Sequence, residues 1–146
     1  MNAKSAKNYS VMNLGKLDDL KNYSFGLPGS DFKLEGKKFL KEELGLTAME
    51  VSINRLEPGA GMPFFHKHNE NEEFYLFIKG EGEFQIDEEI FPVKEGTAIK
   101  IAPDAERIWR NNTKNPLYYI VVQAKAGSLN KGDIQDGKLV KWDKPN

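Results

Sequence analysis

The sequence predicts an all-β fold, an antiparallel sandwich or barrel with little helix. Short runs rich in branched and aromatic residues recur at spacings of about 8 to 12 residues, each closed by a glycine, proline or asparagine turn. No stretch sustains the apolar periodicity of a long helix. At 146 residues, without an internal repeat, the chain is one domain large enough to bury a core.

The elements follow in order. Met1 to Asn8 is polar, and Asn13 to Leu20 spaces Leu14, Leu17 and Leu20 as one short helical stretch. Leu27-Pro-Gly-Ser is a turn, and Phe32 to Leu40, with Phe32, Leu34 and Phe39, reads as strands outside a barrel core. Lys41 to Gly45 is a single helical turn ended by its glycine. From Thr47 to Leu56, Met49, Val51 and Ile53 alternate with Glu50, Ser52 and Asn54, a half-buried strand with the apolar set inward. Phe64 to His68 and Phe74 to Ile78 read as two strands doubled back through the polar turn 69–72. Phe84 to Asp87, Ile90 to Val93 with Pro92 at an edge, Thr97 to Ala102, Arg107 to Asn111 and Leu117 to Lys125 complete the strands. The expected organisation is therefore an N-terminal extension with outer strands (1–46), a barrel (47–125) and a tail packing on it (126–146). In that tail Trp142 serves as a packing anchor, on either an extra strand or a strap.

Composition narrows the function classes. A net charge of −1 with 29% charged residues offers no electrostatic footprint for nucleic acid or an anionic membrane. No run approaches the roughly 20 apolar residues that span a bilayer, and no secretory signal is visible, so a cytoplasmic chain is expected. Without cysteine, disulfides, thiolate metal sites and thiol nucleophiles are excluded.

Chemistry concentrates in residues 61–82, GMPFFHKHNENEEFYLFIKGEG, which hold both histidines of the chain. On a strand, residues i and i+2 project from one face, so His66 and His68 point together with Cα atoms about 7 Å apart. If the chain doubles back, Glu73 lies beside them and shares its face with Tyr75 and Phe77, and Glu72 is the neighbouring carboxylate. Neutral imidazole and carboxylate are ligands for iron, manganese, zinc, nickel or copper.

This stretch resembles the first motif of the cupin superfamily: glycine, five residues, HxH, three or four residues, glutamate, six residues, glycine. His66, His68, Glu73 and Gly80 fit; the first glycine position falls on Ala60, flanked by Gly59 and Gly61. In the second motif Gly96 and Asn111 match the two ends, Pro103 stands one residue after the proline position, Asp104 replaces a glycine, and Arg107 occupies the position of the last histidine ligand. The resemblance implies a single-domain double-stranded β-helix, the jelly-roll barrel, over about residues 47–125. It also implies a divalent transition metal (Fe, Mn, Zn or Ni) at His66, His68 and Glu73. Arginine has no lone pair for a metal, so Arg107 either pairs with Glu73 or fixes an anionic substrate. Alternation puts Arg107, Trp109 and Asn111 on one face, with Phe64, Tyr75, Phe77 and Trp109 as the pocket wall and Tyr75 and Arg107 as catalytic candidates.

The implied function is a metal-dependent enzyme acting on a small anionic or aromatic molecule, dioxygenase-like or an isomerase or decarboxylase. The alternative is a non-catalytic small-ligand binding or sensing barrel. A homodimer is expected, in which exchanged N-terminal strands bury Phe32, Leu34 and Phe39; the same strands folded back on their own barrel would leave a monomer.

Overall fold

Alternating apolar strands bury one face only by packing on a second sheet, and the chain does this with two antiparallel sheets. The computed structural model describes residues 2–142. The strands are β1 (Lys4–Ser5), β2 (Ser10–Val11), β3 (Ser24–Gly26), β4 (Lys33–Glu35), β5 (Lys37–Phe39), β6 (Glu50–Leu56), β7 (Asn71–Lys79), β8 (Glu81–Ile86), β9 (Glu89–Lys94), β10 (Ala98–Ile101), β11 (Arg107–Arg110) and β12 (Leu117–Lys125). One sheet has the order β10-β7-β12-β6-β5 and the other β11-β8-β9, with β1-β2 and β3-β4 as separate hairpins.

The inner faces meet through aromatic rings. Phe84 of β8 stacks on Trp109 of β11 at 5.5 Å and meets Tyr75 of β7 edge-on at 5.1 Å, while Trp109 Nε1 donates to Tyr119 Oη of β12 at 2.8 Å. Phe77, Phe84 and Leu117 are fully buried in the same core. Such edge-to-face and offset contacts hold the sheets in one alignment beyond the area they bury.

Several expectations are confirmed. The short helical stretch is a 3₁₀ helix at Leu17–Asn22 with Leu20 buried. Lys41–Leu44 is one α turn, closed by Gly45 in the left-handed region at φ 68°, where glycine carries no steric penalty.

Three expectations are corrected. Residues 64–68 are not a regular strand and form no hairpin with β7. The segment from β6 to β7 instead crosses to the other sheet and runs beside β11 through two isolated bridges, Gly61 to Arg110 and His66 to Arg107. Pro63, which has no N–H to donate, and the bend at Phe64 interrupt the ladder between them. The close approach falls on Gly61, where an added Cβ would lie 2.8 Å from that of Arg110. Secondly, β6 is turned over: Ser52, Asn54 and Leu56 face inward and are buried, while Val51 and Ile53 are half-buried on the outer face and Met49 is exposed. The 3₁₀ helix packs on β6 and Lys38 pairs opposite Ile53, which gives those outer apolar residues cover. Thirdly, residues 126–142 contain one helical turn, Asp133–Asp136, and no strand, and Trp142 is 75% exposed rather than anchored.

The N-terminal strands are seated on the chain's own sheets. β5 extends the larger sheet beside β6, Phe25 meets Phe39 at 5.0 Å, and Phe32 meets Phe64 at 5.0 Å.

Phe84 touches both sheets, so Phe84→Ala opens a cavity that neither can collapse into. It is expected to lower stability by about 3–5 kcal/mol in urea denaturation. A loss below about 1 kcal/mol would contradict the ring-mediated packing of the two sheets.

Candidate metal centre and adjoining cavity

Each functional side chain arrives by a simple positional rule. Glu73, Tyr75 and Phe77 alternate inward along β7, as expected. Arg107 and Trp109 alternate inward along β11, also as expected. His66 reaches the site because its backbone is tied to Arg107 on both sides, His66 N–H to Arg107 O at 3.1 Å and Arg107 N–H to His66 O at 3.0 Å. Two elements on facing sheets therefore supply the cluster, rather than one hairpin.

The cluster is compact. His66 Nε2 lies 3.7 Å from Glu73 Oε1 and His68 Nε2 lies 3.5 Å from Glu73 Oε2, and the candidate ligand atoms of the three residues all fall within 4.8 Å of one another. Two atoms that each bind one ion at about 2.1 Å stand at most about 4.2 Å apart, so both histidine–carboxylate spacings suit a shared metal. Glu72 is not part of the cluster among the described residues. The carboxylate is held from behind: Tyr75 Oη donates to Glu73 Oε1 at 3.1 Å, and Arg107 Nε lies 3.2 Å from the same oxygen. The arginine contact is an ion pair without hydrogen-bond alignment, because Nε and Nη2 find no hydrogen-bond partner among the described residues. Nη1 points to His66 O at 3.4 Å. Oε1 is thus the anchored oxygen, and Oε2 faces His68.

Protonation states follow from these neighbours. Burial pushes the Glu73 carboxyl up, but His66, Arg107 and His68 together outweigh it and hold the group below the ordinary carboxylate range. Burial, aided by Arg107 and His66, lowers His68 against the pull of Glu73 and favours the neutral imidazole that a metal requires. Tyr75 is raised well above the usual phenol value, first by burial and then by Glu73, so it stays a hydrogen-bond donor near neutral pH.

Beside the cluster opens a cavity of about 280 Å³. His66, His68, Glu73, Tyr75, Trp109 and Phe64 line it; Arg107 and Phe77 lie behind the wall and do not. Most of the remaining lining comes from residues that the sequence reading did not assign to the site: Phe25 and Phe32 from the N-terminal segment, and Lys37, Phe39, Ser52 and Gln123 from the larger sheet. A usable signal was present for Ser52: it shares the parity of Leu56, a residue with no reason to face water.

The chain belongs to the cupin family. The family model for the cupin domain matches residues 52–123. A cupin protein from Bacteroides fragilis is 33% identical over 93% of this chain and 100% of its own, with a TM-score of 0.76. A protein from Thermotoga maritima described as a predicted oxalate decarboxylase is 23% identical, with coverage of 70% of this chain and 90% of its own and a TM-score of 0.59. A conserved Klebsiella pneumoniae protein with a double-stranded β-helix domain is 17% identical, with coverage of 81% and 94% and a TM-score of 0.58. At these last two identities the likeness is one of fold. No curated protein matches the chain. Among the described residues no helix is long and apolar enough to cross a membrane.

Lys37 provides a test of the cavity's electrostatics. Burial lowers it from 10.5 to about 8, against the pull of Glu73 and Glu50. The folded value lies below the unfolded one, so between about pH 8 and 10.5 the unfolded chain binds more protons and stability rises with pH. Below that window the buried charge costs about 3 kcal/mol. Relative to Lys37→Met, the wild type should therefore gain stability between pH 7 and pH 10 in denaturant titrations. A difference between the two proteins that does not change with pH would contradict this burial.

Proposed function

We propose that this cupin is a metal-dependent enzyme acting on a small organic molecule, with one divalent ion (Fe, Mn, Zn or Ni) held by His66, His68 and Glu73. The observation that carries this reading is the convergence of three suitable donors on a carboxylate whose Oε1 is already fixed by Tyr75 and Arg107. Ligands oriented by partners behind them are the usual construction of a metal site. Such an ion, when bound, supplies a Lewis acid or a site for oxygen chemistry. The chain's own residues do the rest. Tyr75 keeps its proton and orients Glu73, while Phe64 and Trp109 exclude water and offer flat apolar surface.

Arg107 stands where the family has its last histidine. It is buried and turned to Glu73, so in this reading it sets the charge of the site and leaves substrate contact to the cavity lining. The reaction classes that fit are dioxygenase-like oxidation, isomerisation and decarboxylation. Oxalate itself fits poorly, because it has no apolar body to place against Phe25, Phe32 and Phe64. Closure of the two sheets into a double-stranded β-helix belongs to the same reading and is supported by the Klebsiella likeness. A dimer formed by strand exchange would have to rebuild the cavity, since Phe32, Leu34 and Phe39 line it within one chain.

A second reading, a metal-free ligand-binding barrel, is favoured by one observation, the Arg107–Glu73 ion pair. Metal analysis of tag-free protein separates the two. One equivalent of divalent metal per chain, lost in Glu73→Ala and His68→Ala and bound more tightly in Arg107→His, is expected. Substoichiometric metal after reconstitution near neutral pH would overturn the enzyme reading in favour of the barrel.

A further inference from the structure

The barrel interior holds a second polar cluster that the metal centre does not use. Lys37 on β5 stands in register opposite Asn54 on β6, and its ammonium donates to Ser52 Oγ at 3.1 Å and to Asn54 Oδ1 at 3.0 Å. The Asn54 amide is oriented by its own Nδ2, which donates to Tyr119 O at 3.2 Å and to Ser52 Oγ at 3.1 Å. Ser52 and Asn54 are 2% and 1% exposed. Nothing in the packing calls for polar residues here, since apolar side chains would fill the same face without the desolvation cost.

The hydrogen-bond capacity of the cluster is unbalanced. A serine hydroxyl has two acceptor sites and one proton. Both acceptor sites of Ser52 are taken, by Lys37 and by Asn54, so its proton must be donated elsewhere. An ammonium has three protons, of which Lys37 uses two on Ser52 and Asn54; the third is left with the cavity and the Phe39 ring, 4.7 Å from Nζ. Lys37 and Ser52 both line the cavity. Two adjacent donors, one of them cationic, thus face a largely apolar space. One oxygen of each carboxylate that shares this space is engaged: Glu50 Oε1 accepts from the Lys41 and Val51 N–H groups at 3.1 Å each, and Glu73 Oε1 is held by Tyr75 and Arg107.

We infer that Lys37 and Ser52 form an anion-binding pole that takes the carboxylate of a small monocarboxylic acid with an apolar or aromatic body. That body rests against Phe25, Phe32 and Phe64, and its far end approaches His66 and His68, which line the same cavity. The presentation of that far end to a metal rests on the proposed function; the pole itself does not. Lys37, although lowered to about 8, remains mostly protonated at neutral pH, so the cation is available there.

The test is calorimetric titration of the chelator-treated full-length chain with 3-phenylpropanoate, with the neutral 3-phenylpropanamide as control, in wild type, Lys37→Met and Ser52→Ala. The acid is expected to bind the metal-free wild type, and the amide about tenfold more weakly. Each substitution should weaken acid binding about tenfold, the effect of losing one charge-assisted hydrogen bond. Ser52→Ala removes a single oxygen and no charge, so it carries the test if Lys37→Met does not fold. Equal binding of acid and amide, absence of acid binding, or indifference to both substitutions overturns the pole. Acid binding that appears only with added divalent ion and ignores both substitutions puts the carboxylate on the metal, which overturns the pole and keeps the proposed function. Acid binding with these losses in a chain that takes up no metal keeps the pole and removes that function.

Discussion

A carboxylate buried inside a protein is tolerated only where paired groups replace its lost hydration, and the space between the two sheets is arranged around that constraint at Glu73. Its side chain is 4% exposed, and Arg107, with no exposed side-chain surface, lies beside it. Glu73 comes from β7 in the larger sheet and Arg107 from β11 in the smaller one. Their ion pair therefore ties the sheets together, as does the hydrogen bond from Trp109 to Tyr119. Arg107 also holds the backbone of His66 on both sides, so one residue positions both the carboxylate and a histidine. Removing Glu73 would leave the buried Arg107 with only its 3.4 Å contact to His66 O, which is costlier than losing the pair.

The same ion pair shapes what the site can hold. A guanidinium cannot ligate a cation and repels one, so a metal at His66, His68 and Glu73 would sit beside a fixed positive charge. That charge weakens cation binding at the cluster.

The His66, His68 and Glu73 cluster was legible in part in the sequence, because parity brings its members to common faces. His66 and His68 two apart, Glu73 and Tyr75 two apart, and Arg107 and Trp109 two apart need only extended backbone to share a face. What parity cannot supply is which strands are neighbours. Residues 64–68 and β7 are close in sequence and look like a hairpin, yet Pro63 and the Gly61 approach to Arg110 carry the histidines to the opposite sheet. The inversion of β6 has a similar origin: Val51 and Ile53 look like a core face until the 3₁₀ helix is known to cover them from outside. Lys37, a lysine in a short polar strand, gives no local sign that it points inward; only its register opposite Asn54 shows it.

The N-terminal segment extends this from the fold to the pocket wall. The family model matches 52–123, whereas Phe25, Phe32, Lys37 and Phe39, which wall the cavity, all precede it. The matched segment thus brings the donor cluster, and the residues before it bring much of the shape and a cation of the pocket. The Bacteroides cupin, similar over 93% of this chain, extends through that segment as well. In the proposed reading the three donors hold one ion at this fixed carboxylate. The most direct measurement is anomalous X-ray diffraction from crystals of the metal-reconstituted chain, collected at the absorption edge of the added metal. One anomalous peak bonded to His66, His68 and Glu73, with the Arg107 contact to Glu73 retained, is the predicted result. Crystals whose only peaks lie elsewhere, with Glu73 still closed on Arg107 and both histidines unligated, would contradict it.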